Sequence, residues 1–189
     1  MKYSLLAALT LASSAALANW SLDNDASSLH FVTTKNVHVS EINHFGLLEG
    51  TLSSDGKLSV AINLASLDTM IDIRNTRMRD MLFDVANNQH ATLTADISHS
   101  LFTMKAGETR QIQVEGNLSL MRKSKAIPFD IQVTKLIDNQ LLATSIKPVL
   151  IDARDFGLNG GVDALQKIAG LSNISYTVPV SFNLIFKGE

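Results

Sequence analysis

The sequence predicts an all-β protein with short helices. Its strands are antiparallel and either close into an up-and-down barrel or stack as a sandwich. Three observations carry this. Apolar residues alternate with polar or small ones along about eight segments, the period of a strand with one dry face. Turn-forming residues fall between those segments. Only two stretches replace the alternation with helical spacing.

The clearest strands come first. Leu58, Val60, Ile62 and Leu64 form one apolar face over 58–64. Residues 111–120 repeat the pattern through Ile112, Val114, Leu118 and Leu120. Ile127, Phe129, Ile131 and Val133 alternate with Pro128, Asp130 and Gln132. Ile174, Tyr176, Val178, Val180, Phe182, Leu184 and Phe186 make one face of a long C-terminal strand. Weaker alternation marks 29–35, 44–52, 91–98 and 141–151. Such clean alternation is typical of antiparallel strands with one solvated side.

The connections agree. Ser53-Ser54-Asp55-Gly56 reads as a hairpin turn, with Gly56 supplying a positive φ. Lys105-Ala106-Gly107-Glu108 and Asp138-Asn139 mark two further turns. Residues 70–85 read as a helix: Met70, Ile71, Met78, Met81, Leu82 and Val85 recur at helical spacing, with Arg74, Arg77 and Arg79 between them. Residues 161–169 read as a short helix stopped by Gly170. It lies in a long connection from Asp152 to Asn173, and connections of that length are usually functional. No linker, repeat or charge run divides the chain, so one domain is expected.

Composition narrows the function. The 189 residues are 46% apolar and 18% charged, which excludes intrinsic disorder. Sixteen basic against eighteen acidic residues leave a net charge of −2, with no excess to neutralise a phosphate backbone; no nucleic-acid partner is expected. There is no cysteine, hence no disulfide, thiolate nucleophile or Cys-ligated metal. Residues 1–18 read as a secretory signal peptide. Lys2 is the positive n-region, 5–12 the apolar stretch and Ala16-Leu17-Ala18 the cleavage site. Residues 19–189 would be the exported domain. Nothing after residue 18 approaches the ~18 continuous apolar residues of a membrane span.

Catalytic patterns are sparse. His30, His38 and His44 lie close in sequence and could converge on a metal or haem, but no metal-ligand spacing relates them. Asp72, Asp80 and Asp84 among the arginines of 70–85 fit a solvated, salt-bridged helix face. No catalytic residue is assigned. An apolar-ligand site fits better. A barrel of about eight strands holds either a packed core or one small-ligand cavity. Apolar periodicity does not distinguish the two.

An ordered series of short motifs bears on that choice. Trp20-Ser21-Leu22-Asp23, Ser28-Leu29-His30-Phe31, Lys35 and His44-Phe45-Gly46 come first. Ser66-Leu67-Asp68-Thr69, Arg77-Met78-Arg79, Phe83-Asp84-Val85 and Ala91-Thr92-Leu93 follow. Val114 to Leu118 and Arg154-Asp155-Phe156-Gly157-Leu158 complete it. The series resembles the YceI-like family of exported polyisoprenoid- and lipid-binding proteins, over essentially all of the exported domain. The resemblance implies an eight-stranded, lipocalin-like antiparallel barrel around a hydrophobic tunnel. It implies a periplasmic binding or carrier protein, not an enzyme. The ligand would be a long isoprenoid, quinone-like or other amphiphilic lipid, with no further cofactor required. Homodimers are common in the family, although no residue pattern here demands one. Two segments depart from the family pattern, Asn88-Gln89-His90 and Leu120-Met121-Arg122-Lys123.

The residues expected to line the tunnel are Phe31, Phe45, Leu47, Met70, Met78, Met81, Phe83, Leu118, Leu120, Phe129, Ile131, Phe156 and Phe182. An arginine such as Arg74, Arg77 or Arg154 could meet a head group at the mouth; Arg154 could equally pin its own loop through Asp155. The rival expectation is a filled, structural or partner-binding barrel. Mass spectrometry of the exported protein should find a chain beginning at Asn19. A chain that retains residues 1–18 would contradict the cleavage site.

Overall fold

The computed structural model describes residues 20–188. Twelve strand segments form one antiparallel sheet. They are β1 (Trp20–Leu22), β2 (Ser28–Lys35), β3 (Val39–Phe45), β4 (Leu48–Leu52), β5 (Lys57–Asn63) and β6 (Leu67–Asp68). Then come β7 (His90–Asp96), β8 (Thr109–Leu120), β9 (Lys123–Lys135), β10 (Gln140–Ser145), β11 (Val149–Asp152) and β12 (Thr177–Gly188). Four pairs of segments are single strands with a break: β1 with β2, β3 with β4, β5 with β6, and β10 with β11. Together with the four continuous strands they make a closed eight-stranded barrel.

The ring of ladders runs β1–β4–β5–β7–β8–β9–β10–β12 and returns to β1. Closure rests on Trp20, which pairs with Leu52 on one side and Gly188 on the other. Beyond the breaks the ladders diverge. The β9–β10 ladder ends at Ile131↔Ser145, and β11 then pairs with β12 alone. On the other edge of β12, β1 gives way to β2. One end of the barrel is therefore closed and the other splayed.

Two sequence expectations are corrected here. Residues 44–52 are not one strand: the chain bends at Gly46-Leu47, and the pairing with β2 begins earlier, at Val39. Residues 141–151 are likewise broken, at Ile146-Lys147-Pro148. Pro148 lacks the N–H a continuous ladder needs. Helical residues run over α1 (Asp72–Arg77) and a following π turn (Met78–Leu82), inside the expected 70–85. Met70 precedes them at φ 61, outside helical geometry. The second helix, α2 (Asn159–Ile168), starts two residues before the expected 161.

The closed end is plugged by aromatic packing. Trp20 stacks on Phe102 with ring centroids 4.9 Å apart, and its indole N–H donates to the Asn139 carbonyl at 3.0 Å. Lys135 is buried there, its Nζ 5.6 Å from the Trp20 ring centre and 2.6 Å from Asn139 Oδ1. Burial holds its pKa below the ordinary lysine value.

The turns match their sequence chemistry. Asp138 and Asn139 both take positive φ in the turn between β9 and β10. Gly56 sits at φ 88, and a Cβ there would lie 2.3 Å from the Ile97 carbonyl oxygen. Gly107 has a similar φ of 83 but faces open space. Gly56→Ala should thus cost about 3 kcal/mol, from backbone strain plus collision, and Gly107→Ala only about 1 kcal/mol. Urea unfolding of the two variants checks this; equal losses would show that the Ile97 contact is immaterial.

Candidate ligand cavity

The inward faces of the strands do not fill the splayed half. They leave a cavity of about 500 Å³, within the ordinary range of ligand pockets. Its floor is set by Phe129 and Phe182, whose ring centroids lie 6.3 Å apart. Leu93 and Leu118, paired across β7 and β8, form part of the wall. Val178, Val180 and Leu184 of β12 line the opposite side.

Both helices stand at the opening. Asn75 ties α1 down: its Oδ1 accepts from the Thr69 backbone N–H at 2.8 Å, and its Nδ2 donates to Asp68 at 3.1 Å. Arg79 donates to the Leu67 carbonyl at 2.8 Å. These bonds turn Met78, Leu82 and Phe83 into the cavity. Helix α2 contributes Val162, Leu165 and Ile168, spaced three apart on one face. It packs tightly on the π turn. A Cβ on Gly161 would lie 2.9 Å from the Met81 carbonyl oxygen.

Of the residues expected from sequence, Phe31, Phe45, Met78, Phe83, Leu118, Leu120, Phe129 and Phe182 lie in the wall. The others lie elsewhere. Leu47 sits at the β3–β4 bend, and Met81 points outward from the π turn, each 39% exposed. Met70 is exposed where the chain enters α1. Ile131 is buried, but beyond Phe129 in the packed half of the barrel. Phe156 is buried beside Ile127 and Pro128, outside the cavity. The α2 residues and Leu29, Val60, Ile62 and Ala91 also line the wall, outside the set expected from sequence. The strand alternation and the helix spacing both contained that signal.

The histidines do not gather. His30 and His44 are cross-strand partners with rings 6.1 Å apart. Their neighbours Phe31 and Phe45 line the cavity, so by strand alternation both face outward. His38 is at the β2–β3 tip. Among the described residues no three histidine or acidic side chains converge as a metal site.

Charge in the wall is confined to Lys35, Glu41, Arg74 and Arg77. Glu41 accepts from Lys35 at 2.9 Å and Arg74 at 2.6 Å. Lys35, foremost, and then Arg74 hold its carboxyl below the usual range, against the opposing effect of burial.

The chain and its fold are matched by known proteins. The family model described as the YceI-like domain matches residues 20–186. The chain belongs to the YceI-like family. A polyisoprenoid binding domain from Saccharophagus degradans, implicated in plant cell wall breakdown, is 36% identical with a TM-score of 0.88; the match covers 90% of this chain and 98% of that one. Burkholderia cenocepacia BcnA is 17% identical with a TM-score of 0.67, over 87% of this chain and 98% of that one, and shows the fold. No curated protein matches the chain in sequence.

In this YceI-like chain the Arg154–Leu158 segment acts on its own loop. Arg154 pairs with Asp152 through Nη2 at 2.5 Å and lies over the Tyr176 ring at 5.5 Å. Asp155 pairs with Lys125, and Lys123 lies against Gly157. Ala153, just before the motif, and Leu158, its last residue, are the residues that reach the cavity. The Leu120–Lys123 departure forms a two-residue turn with Met121 at φ 51 and Arg122 at φ 60.

The Arg154 side chain, followed by its backbone N–H, lowers the Asp152 carboxyl to about 2. A depressed carboxylate pKa contributes stability above the unfolded value, here 3.8, and that contribution is lost as pH falls towards 2. Carboxyl NMR titration should find Asp152 near 2 in the native chain and raised, but still below 3.8, in Arg154→Met, where the residue-154 backbone N–H continues to donate. An unmoved midpoint would remove Arg154 as the cause.

Proposed function

We propose that this protein is a periplasmic carrier that encloses a long isoprenoid or quinone-like chain in the barrel. The observation that carries this reading is the apolar cavity, open between α1 and α2 and floored by Phe129 and Phe182. The Saccharophagus degradans relative, described as polyisoprenoid binding, supports the ligand class. The signal-like residues 1–18, which lie outside the described residues, support export.

The mechanism is burial. Enclosing an alkyl chain stabilises the complex by about 0.8 kcal/mol per CH₂ before ordering costs. A flexible apolar chain needs few polar contacts, and the wall provides few. A completely filled barrel, the rival expectation, would leave no space between the β-wall and the helices. The role assigned is binding, with no chemical step.

Native mass spectrometry of the purified protein should detect a co-purified apolar lipid. Leu118→Trp, which places an indole in the wall, should reduce uptake of a polyprenol at least ~tenfold, as several CH₂ contacts are displaced. The thermal midpoint should change little. Full uptake by a folded Leu118→Trp variant would contradict binding in this cavity.

A further inference from the structure

Three of the four charged side chains in the cavity wall are cations, so the wall has an excess of two positive charges. The whole chain has a net charge of −2, so this excess is local. Its one carboxylate, Glu41, is already shared between Lys35 and Arg74. The side chains of Lys35, Glu41 and Arg74 are only 28%, 30% and 24% exposed. Arg74 is further fixed by its Nη2, which donates to the Thr69 carbonyl at 2.5 Å.

Arg77 is different. It follows Arg74 by three positions, which sets both on one side of the helix. It lines the cavity, is half-buried, and its side chain has no ion pair or hydrogen bond among the described residues. Withdrawing a guanidinium from water beside an apolar wall costs free energy unless a partner faces it. An apolar tail offers no such partner. An anionic head group would, and the shielded mouth would strengthen the pairing.

The geometry points to a head-group subsite at the cavity mouth. There Arg77, backed by the Lys35–Glu41–Arg74 network, receives the oxyanion of an amphiphile whose tail fills the barrel. The shared chemistry is a carboxylate or a phosphate monoester on a long chain. This rests on the carrier reading above and adds to it the charge of the ligand's head.

The test compares matched pairs by displacement of a fluorescent fatty probe at low ionic strength: oleate with oleyl alcohol, and farnesyl phosphate with farnesol. Each anion should bind about tenfold more tightly than its alcohol. Arg77→Gln should shrink that ratio to about threefold or less, acting mainly on the anion. Lys57→Gln removes the same charge at a position outside the cavity wall and should keep the ratio. The pair with the larger ratio identifies carboxylate or phosphate as the preferred source. Equal binding of anion and alcohol, or a ratio unchanged in Arg77→Gln, overturns the subsite while leaving the apolar tunnel intact. Failure of all four compounds to bind overturns the tunnel and the subsite together.

Discussion

The structure depends on closing a barrel through a strand of three residues. Trp20–Leu22 pairs with β4 on one edge and β12 on the other, so the ring of ladders has no free edge at that end. The same Trp20 caps the interior through Phe102, Asn139 and Lys135. One residue thus joins the sheet into a cylinder and plugs its base.

Closure at the base makes the other half functional. Each of the four broken strands shifts partners or direction at its break, so the upper segments move apart. Splaying exposes apolar inward faces that the strands cannot cover themselves. Helices α1 and α2 supply that cover, and the space beneath them becomes the cavity. The fastenings are polar and lie outside it: Asn75 and Arg79 on α1, Tyr176 with Asp163 on α2, and Arg154 with Asp152 below. This division leaves the interior apolar while satisfying the loops that frame it.

Much of the fold was legible because strand alternation is a local property. The long strands β8, β9 and β12 and the hairpin turns at Asp55-Gly56 and Asp138-Asn139 follow from spacing and turn chemistry alone. The breaks were harder to read. At Gly46-Leu47 the dry face changes phase, from Phe45 and Leu47 to the buried Leu48 and Leu52 of β4, and the bend is where the two phases meet. Likewise Ile131 and Phe129 share one face of one strand, yet only Phe129 meets the cavity. Depth along a barrel depends on register between strands, which alternation does not encode. Phe156 and Arg154 show the same limit. Their motif supports the family resemblance, but their side chains support the loop and lie outside the wall.

The sequence by itself determined the all-β class, the approximate strands and, through its ordered motifs, the family. These rest on period-two patterning and local turn preferences, which act over a few residues. Tertiary structure alone decided that the barrel is half packed and half hollow. It also decided which apolar faces meet the cavity and which charges gather at its mouth. Those features arise from long-range register: Trp20 meeting Gly188, β12 shared between two broken strands, and Arg74 reaching Glu41 from another element. No local pattern specifies such meetings, because the partners are set by how the sheet closes.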